Sequence, residues 1–367
     1  MKSPAKKIGD IQRLRGFAVL LTVFAHMPLT TGIFAWFKLP SPFWVGVPLF
    51  FVISGYVITI STEKYIFNPL SFYIRRLCRI LPVLLISIGI TLIMAYFTKD
   101  VQFYGTYPNI LVTVTYMILF ISNFSRMFDR SVKMVLSLLG LWSISTEEQF
   151  YLFFPLTYLL PSKKIRILLV VGIWFLWGVI LRLLTFCYLN TNQNKIVSIL
   201  KILMQNNGFR YDLILLGMLI SYLSLRIPPR RSLFYLCLTF TLLYPEFSHY
   251  ESYNTILYFI FAASLVSIVV IAKEDKDIIF TEIPLIRTFL DYLGKRSYTI
   301  YVMHFQVLAL IGYLLQRVEF NFKHPYLYSW ALMLGSIPFL LLIELIHRYI
   351  EMPVIAWGKA YTSQNSI

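Results

Sequence analysis

Charge is what this chain has least of. Only 14% of its 367 residues are Asp, Glu, Lys or Arg, and 58% are hydrophobic. A soluble domain carries about a quarter charged residues, so the scarcity excludes a soluble globular chain. Mean hydropathy is +0.70, and apolar runs of about 20 residues, the length that spans a bilayer as a helix, recur from end to end. Acidic residues are rarer still, 17 against 33 Lys and Arg, for a formal net charge of +16. The basic residues sit in short loops beside apolar runs, which is the positive-inside pattern and no nucleic-acid signal. Cysteine is scarce and odd in number: Cys78, Cys187 and Cys237 are scattered in or beside apolar segments. That excludes a disulfide framework and metal-type spacing, leaves packing roles, and predicts no metal site. The start MKSPAKKIGD resembles the basic end of a signal peptide, but the apolar run after it reaches His26-Met27-Pro28 without a small-residue cleavage site. It is expected to stay as an anchor. No internal repeat is evident, and no soluble domain is expected before or after the bundle.

What is present is a series of apolar segments near 14–33, 43–61, 78–97, 107–123, 136–160, 166–188, 207–225, 232–246, 254–272, 298–316 and 328–350. Loop charges decide which of them cross. With the basic N-terminus inside, Lys64, Arg75, Arg76 and Arg79 also lie inside. A crossing at 107–123 would put Lys163, Lys164, Arg166, Arg226, Arg230 and Arg231 outside, and the acidic 246–251 loop inside. Without that crossing every one of these reverses, and Lys273–Asp277 and Lys295–Arg296 fall inside as well. The cost is Arg126, Arg130 and Lys133 outside. The expectation is an all-α polytopic membrane bundle of about ten transmembrane helices, with 107–123 re-entrant or interfacial and both termini cytoplasmic. It forms a single domain over 1–361, with a short tail at 362–367.

The stretch IQRLRGFAVLLTVFAH, residues 11–26, places an ionisable group where lipid should be. Arg15 and His26 are close to three helical turns apart, so they share one face about 16 Å apart along the axis. Ala18, Val19 and Thr22 lie between them. An intramembrane histidine is a functional candidate by default; the bland alternative is a hydrogen bond to a neighbouring helix.

Further on, Asn68 as N-cap and Pro69 at the first helical position predict the start of a short helix. Arg75, Arg76 and Arg79 follow at spacings that let them converge on one face. Such a cluster at the inner surface suits a multiply phosphorylated ligand, or else anchors anionic lipid or sets topology. The segment Trp142-Ser143-Ile144-Ser145-Thr146-Glu147-Glu148-Gln149-Phe150-Tyr151 puts adjacent carboxylates into an apolar span. Ser145 with Glu148 fits a capping box that would restart a helix inside the membrane. Glu147 shares the polar face with Ser143 and Tyr151. Placed at mid-depth like His26, it could meet that imidazole.

Arg210-Tyr211-Asp212 lies near the outer end of a span, where Asp212 could pair with Arg182 or Arg210, or help hold a sugar-like acceptor. Ser297, Tyr301 and His304 follow helical spacing, with His304 about 10 Å into its span. Glu344 and His347 are three apart, and Glu351-Met352-Pro353 closes the last span; both are candidate helix tethers. His249 and His324 fall in loops without a special signal.

Seven of these stretches, in order, resemble motifs of the acyltransferase-3 family of integral membrane acyltransferases. They are Arg15-x10-His26; Phe50-Phe51-Val52-Ile53-Ser54-Gly55-Tyr56; Arg75, Arg76 and Arg79; and Trp142-Ser143 with Glu147 to Tyr151. Then come Arg210, Asp212 and Gly217; Ser297-Tyr298, Tyr301 and His304; and Glu351 with Pro353. The likeness runs from Ile11 to Pro353. Departures are Gln12 where Asp is common, Met303 where Trp is common and Met352 where Arg is common. The chain stops at Ile367, so the expectation is the stand-alone form, without the extracytoplasmic SGNH-type esterase domain of some relatives.

The resemblance implies transfer of an acyl group, usually acetyl, from cytoplasmic acyl-CoA to a hydroxyl of a glycan or other acceptor. The residues present suit that scheme. Arg75, Arg76, Arg79 and Arg15 would hold the donor. His26 would act as general base or carry the acyl group, and Glu147 would stabilise the imidazolium. Ser54, Trp142, Ser143, Glu148, Tyr151, Arg210, Asp212, Tyr301 and His304 would support the site. No cofactor is expected to be bound; acyl-CoA, with acetyl-CoA foremost, is a co-substrate. The partners are a glycan or lipid-linked saccharide and the lipid bilayer, in the bacterial cytoplasmic membrane. The rival from another class is a proton-coupled glycan or lipid exporter, since buried His and Glu also make proton relays. It would call for internal repeats and half-helices at midplane, for which only the broken 136–160 segment leaves room. A membrane sensor or scaffold would not need His26.

Overall fold

Low charge and unbroken apolar runs leave the backbone one way to satisfy its own polar groups in lipid, which is to coil into helices. The computed structural model describes residues 9–26, 42–63, 68–98, 107–124, 138, 140–176, 211–247, 254–317, 334–335 and 337–364. Among them there is no strand. The helices are α1 (Gly9–Ala25), α2 (Gly46–Glu63), α3 (Pro69–Thr98), α4 (Tyr107–Ile118), α5 (Trp142–Phe153), α6 (Lys163–Trp174) and α7 (Tyr211–Tyr222). They continue with α8 (Arg231–Phe247), α9 (Asn254–Lys273), α10 (Pro284–Lys295), α11 (Ser297–Arg317), α12 (Phe339–Ile346) and α13 (Met352–Gln364). Among the described residues, three stretches are long and apolar enough to cross a membrane: Phe43–Glu63, Pro69–Thr98 and Ser297–Leu315. Shorter apolar helices cover Asn109–Ile118, Tyr211–Tyr222, Arg231–Tyr244 and Leu257–Lys273. The chain divides into two bodies.

The first body holds α1, α2 and α6 to α10. Its helices meet at glycines. A Cβ on Gly55 of α2 would collide with the Ile214 carbonyl of α7, and one on Gly217 of α7 with the Val52 carbonyl of α2. The same logic joins α1 to α10, where Gly16 faces the Leu290 carbonyl and Gly294 the Gln12 carbonyl. Close backbone approach through small residues is how helices associate where lipid removes the hydrophobic driving force.

α1 is also locked by charge. Arg13 is only 2% exposed. Its guanidinium donates to the Ile279 carbonyl at 3.0 Å and to Asp277 at 2.5 Å. It also pairs with Asp10 at 3.1 Å and faces Asp291 at 3.4 Å. Asp10 in turn accepts from the backbone N–H groups of Ile278 and Ile279 at 3.4 and 3.3 Å. Burial pushes the Asp10 carboxyl above the usual carboxylate range, against the pull of Arg13 and those two N–H groups. The neighbouring loop is held at Glu282, which accepts from the Tyr235 hydroxyl at 2.9 Å and faces Arg231 at 3.7 Å.

The second body holds α3 to α5, α11 to α13 and His26. Asn68 caps α3 as expected, its Oδ1 accepting from the Ser71 N–H at 3.1 Å, and Pro69 stands at the first helical position. The helix is not short, however. It runs unbroken for 30 residues, about 45 Å, past Pro82. α4 has 12 residues and rises about 18 Å, less than the bilayer core of about 30 Å. A turn follows, with Phe120 at φ 53°. That left-handed residue is held by α5, because Gln149 donates to its carbonyl at 2.6 Å and exchanges hydrogen bonds with Asn123 at 3.0 and 2.9 Å.

The capping box at Ser145 is overturned. α5 starts at Trp142, with no side-chain cap at Leu141, and Ser145 lies inside it. Its hydroxyl is engaged instead by Ser122, at 2.6 Å. Glu351-Met352-Pro353 does not close the last helix either. Pro353 cannot donate to Tyr349, so the register shifts through a π turn over His347–Glu351, in which Met352 N–H reaches the His347 carbonyl, and α13 continues to Gln364. The expected tether is there: Glu351 accepts from Thr299 at 2.5 Å and pairs with His347 at 2.7 Å.

Candidate functional site

The expected site residues divide between the two bodies. Arg15 and Ser54 lie half-buried in α1 and α2 of the first body. Asp212 is fully buried in the first turn of α7, where the positive end of the helix dipole favours a carboxylate. Arg210 and Arg182 lie outside the described residues. The remaining candidates belong to the second body.

His26 is not in the middle of a long helix. α1 ends at Ala25 and the histidine occupies the turn just past it. Met27 precedes Pro28, and a residue before proline is disfavoured in the α conformation. The end position leaves the imidazole half-buried beside the helix's C-terminal carbonyls, the end that stabilises positive charge. Its ring lies 5.2 Å from that of His304 and 4.5 Å from that of Phe305, centroid to centroid.

His304 sits within α11 and is 4% exposed. Its Nδ1 lies 2.6 Å from the carbonyl oxygen of Tyr301. The Tyr301 side chain is fixed too. Its hydroxyl donates to the Gly140 carbonyl at 2.7 Å and lies 2.5 Å from the Ser143 hydroxyl. A phenol has one proton, so Ser143 is the donor of the second bond. Gly140 permits this approach, because any Cβ there would strike the Phe305 ring.

Glu147 is half-buried on the same face of α5 as Ser143 and Tyr151, and accepts from the Tyr151 hydroxyl at 3.5 Å. Glu148 beside it has one buried carboxylate oxygen without a hydrogen-bond donor. Both interact electrostatically with Arg76. Trp142 is half-buried at the start of α5.

Arg76 and Arg79 lie near enough for their charges to act on each other, whereas Arg75 is turned to the exposed side. Arg76 turns its guanidinium over the Tyr151 ring at 4.7 Å and the Phe72 ring at 5.8 Å. Cation–π contacts of this kind compensate a partly desolvated charge. Arg75 is exposed and donates to the Ser71 carbonyl of its own helix at 3.1 Å. Arg79 is half-buried and interacts with Glu351 and Tyr298. Helical spacing alone could not tell these rotamers apart.

Sequence reasoning missed several parts of this arrangement. Phe305 packs against both imidazoles. Gly140 supplies the carbonyl for Tyr301. Tyr298 donates to the Ile80 carbonyl at 2.7 Å, joining α11 to α3, and Gln306 donates to Ser87 on the same pair of helices. Gln306 sits two residues beyond His304 in an apolar helix, and that polarity was the available signal. Among the described residues, no group of three or more His, Cys, Asp or Glu is placed to hold a metal ion.

The chain is 26% identical to a protein of Staphylococcus aureus strain COL named for O-acetyltransferase activity, over 97% of this chain and 60% of that protein. It is 25% identical to the O-acetyltransferase OatA of S. aureus strain NCTC 8325, over 98% of this chain and 59% of that one. The chain thus spans about three fifths of the length of the curated relatives it matches. No solved structure matches it. The acyltransferase-domain model of the acyltransferase-3 family matches residues 8–347. Nearly the whole chain is therefore an acyltransferase domain, and the protein belongs to the membrane-associated acyltransferase-3 family.

Proposed function

We propose that the chain is a membrane-embedded O-acyltransferase. It moves an acyl group, acetyl foremost, from cytoplasmic acyl-CoA to a hydroxyl of a cell-surface glycan or its lipid-linked precursor. The bundle crosses the bacterial cytoplasmic membrane about ten times with both termini inside. The observation that carries this reading is His26 packed on buried His304, in the same body as Arg76 and the Glu147–Glu148 pair. The names of the relatives point the same way.

In this scheme an imidazole nitrogen of His26 takes the proton of the acceptor hydroxyl. The freed oxygen bonds to the thioester carbonyl carbon, the carbon–sulfur bond breaks, and the CoA thiolate leaves, taking up the proton from the imidazolium. Glu147 and the C-terminal carbonyls of α1 favour the transient positive charge. Arg76 and Arg79 hold donor phosphates, with Arg75 adding positive charge. Ser143 and Tyr301 keep α5 and α11 in register.

The test uses inside-out vesicles given acetyl-CoA labelled in the acetyl group. Label should reach a glycan fraction in wild type, and His26→Ala should lower the rate by about 10²- to 10⁴-fold, the usual worth of a general base. Equal labelling in both would remove His26 from the chemistry. If wild type labels no acceptor, acetyl transfer is wrong and the exporter reading gains.

A further inference from the structure

His304 has a job that its helix does not explain. Its Nδ1 lies 2.6 Å from the Tyr301 carbonyl, and a carbonyl oxygen only accepts, so Nδ1 carries the proton. The Nε2 of a neutral ring so bonded is a bare lone pair. That atom is buried and has no hydrogen-bond donor. The ring is not free to turn and find one. Its Nδ1 is tied to the Tyr301 backbone carbonyl of its own helix. The imidazole itself is flanked by Phe305 at 4.5 Å and His26 at 5.2 Å. A buried acceptor fixed in place and left empty is uncommon, and each instance asks for a reason.

We infer that His304 is a second acceptor-side contact: its Nε2 receives a hydrogen bond from a hydroxyl of the substrate, beside the hydroxyl that His26 deprotonates. The lone pair selects for an O–H donor. A carboxylate or phosphate oxygen has no proton to give it, so the anionic end of acyl-CoA does not belong here. This assignment rests on the acyl-transfer reading and adds to it which ring binds the alcohol.

Two substitutions separate this role from helix packing. In His304→Asn the amide nitrogen still reaches the Tyr301 carbonyl, but nothing accepts at the Nε2 position. In His304→Gln the amide oxygen lies near the Nε2 position and the Tyr301 bond is lost. In inside-out vesicles with labelled acetyl-CoA, His304→Asn should lower transfer by about 10- to 100-fold, the loss expected for one buried hydrogen bond. His304→Gln should retain more activity than His304→Asn, and the KM for acetyl-CoA should stay within about twofold in both, because uniform donor binding is untouched. A purely structural histidine predicts the opposite order, Asn above Gln. Transfer that survives His304→Asn, or that order, overturns the role of His304 alone. Absence of transfer in wild type overturns the acyl-transfer reading and this assignment with it.

Discussion

Arg13 in the first body and His304 in the second are both buried polar side chains in an apolar chain, and they are treated in opposite ways. Arg13 is surrounded by Asp10, Asp277, Asp291 and the Ile279 carbonyl. His304 has one nitrogen bonded and the other empty. The buried charge of Arg13 is answered by carboxylates and holds the fold together, whereas the open lone pair of His304 is the atom proposed to take a ligand. The first body uses its rare acidic residues to fasten α1; in the second, the Nε2 of His304 is left open.

That contrast can be broken most sharply at Arg13. Arg13→Ala removes the countercharge of the buried Asp10 carboxylate, leaving it only its backbone N–H donors, which should cost about 3–5 kcal/mol and leave little folded protein in detergent. Fluorescence-detected size-exclusion melting would measure it, and a melting point close to wild type would mean that the latch holds nothing. Next is Gly55→Ala, whose Cβ collides with the Ile214 carbonyl. The α2–α7 crossing must open, at about 1–3 kcal/mol, and the same melts should record the loss. Tyr301→Phe removes the bonds to Gly140 and Ser143. It should destabilise by about 1–2 kcal/mol, and much of that loss should vanish in a Ser143→Ala background, where one of the two bonds is already gone.

The smallest effect belongs to Glu282. Its carboxyl is held below the usual range first by its own backbone N–H and, to a smaller extent, by Tyr235 and Arg231, against desolvation. A depressed carboxylate stabilises above the unfolded value of about 4.3, and that contribution is lost as pH falls through the folded value. The melting point of wild type should therefore drop slightly more than that of Glu282→Gln between about pH 5 and about pH 3. Identical slopes would show the contact to be inert.

Much of the fold was legible because helix formation in this chain is local. The Asn68–Pro69 start and the Glu351 tether both follow from side-chain chemistry within a few residues or one helix contact. The misses have a common cause. The position of His26 depends on where α1 stops, and hydropathy continues past that point. The role of Ser145 was settled by Ser122, more than twenty residues away. α10 is short and its charges hid it in a loop, although Leu290, Leu293 and Gly294 bury one face. The latch at Arg13 went unseen, because its partners Asp277 and Asp291 lie far along the chain. Charge counting gives a side of the membrane and no partner.

The most direct test measures stability and transfer together on His26→Ala, reconstituted in lipid and supplied with labelled acetyl-CoA. The account predicts a melting point within about 2 °C of wild type, as for a side chain that is not part of the fold's support, with acetyl transfer to the glycan fraction lowered by about 10²- to 10⁴-fold. A melting point that falls as far as that of Arg13→Ala, or transfer that persists at the wild-type rate, would contradict it.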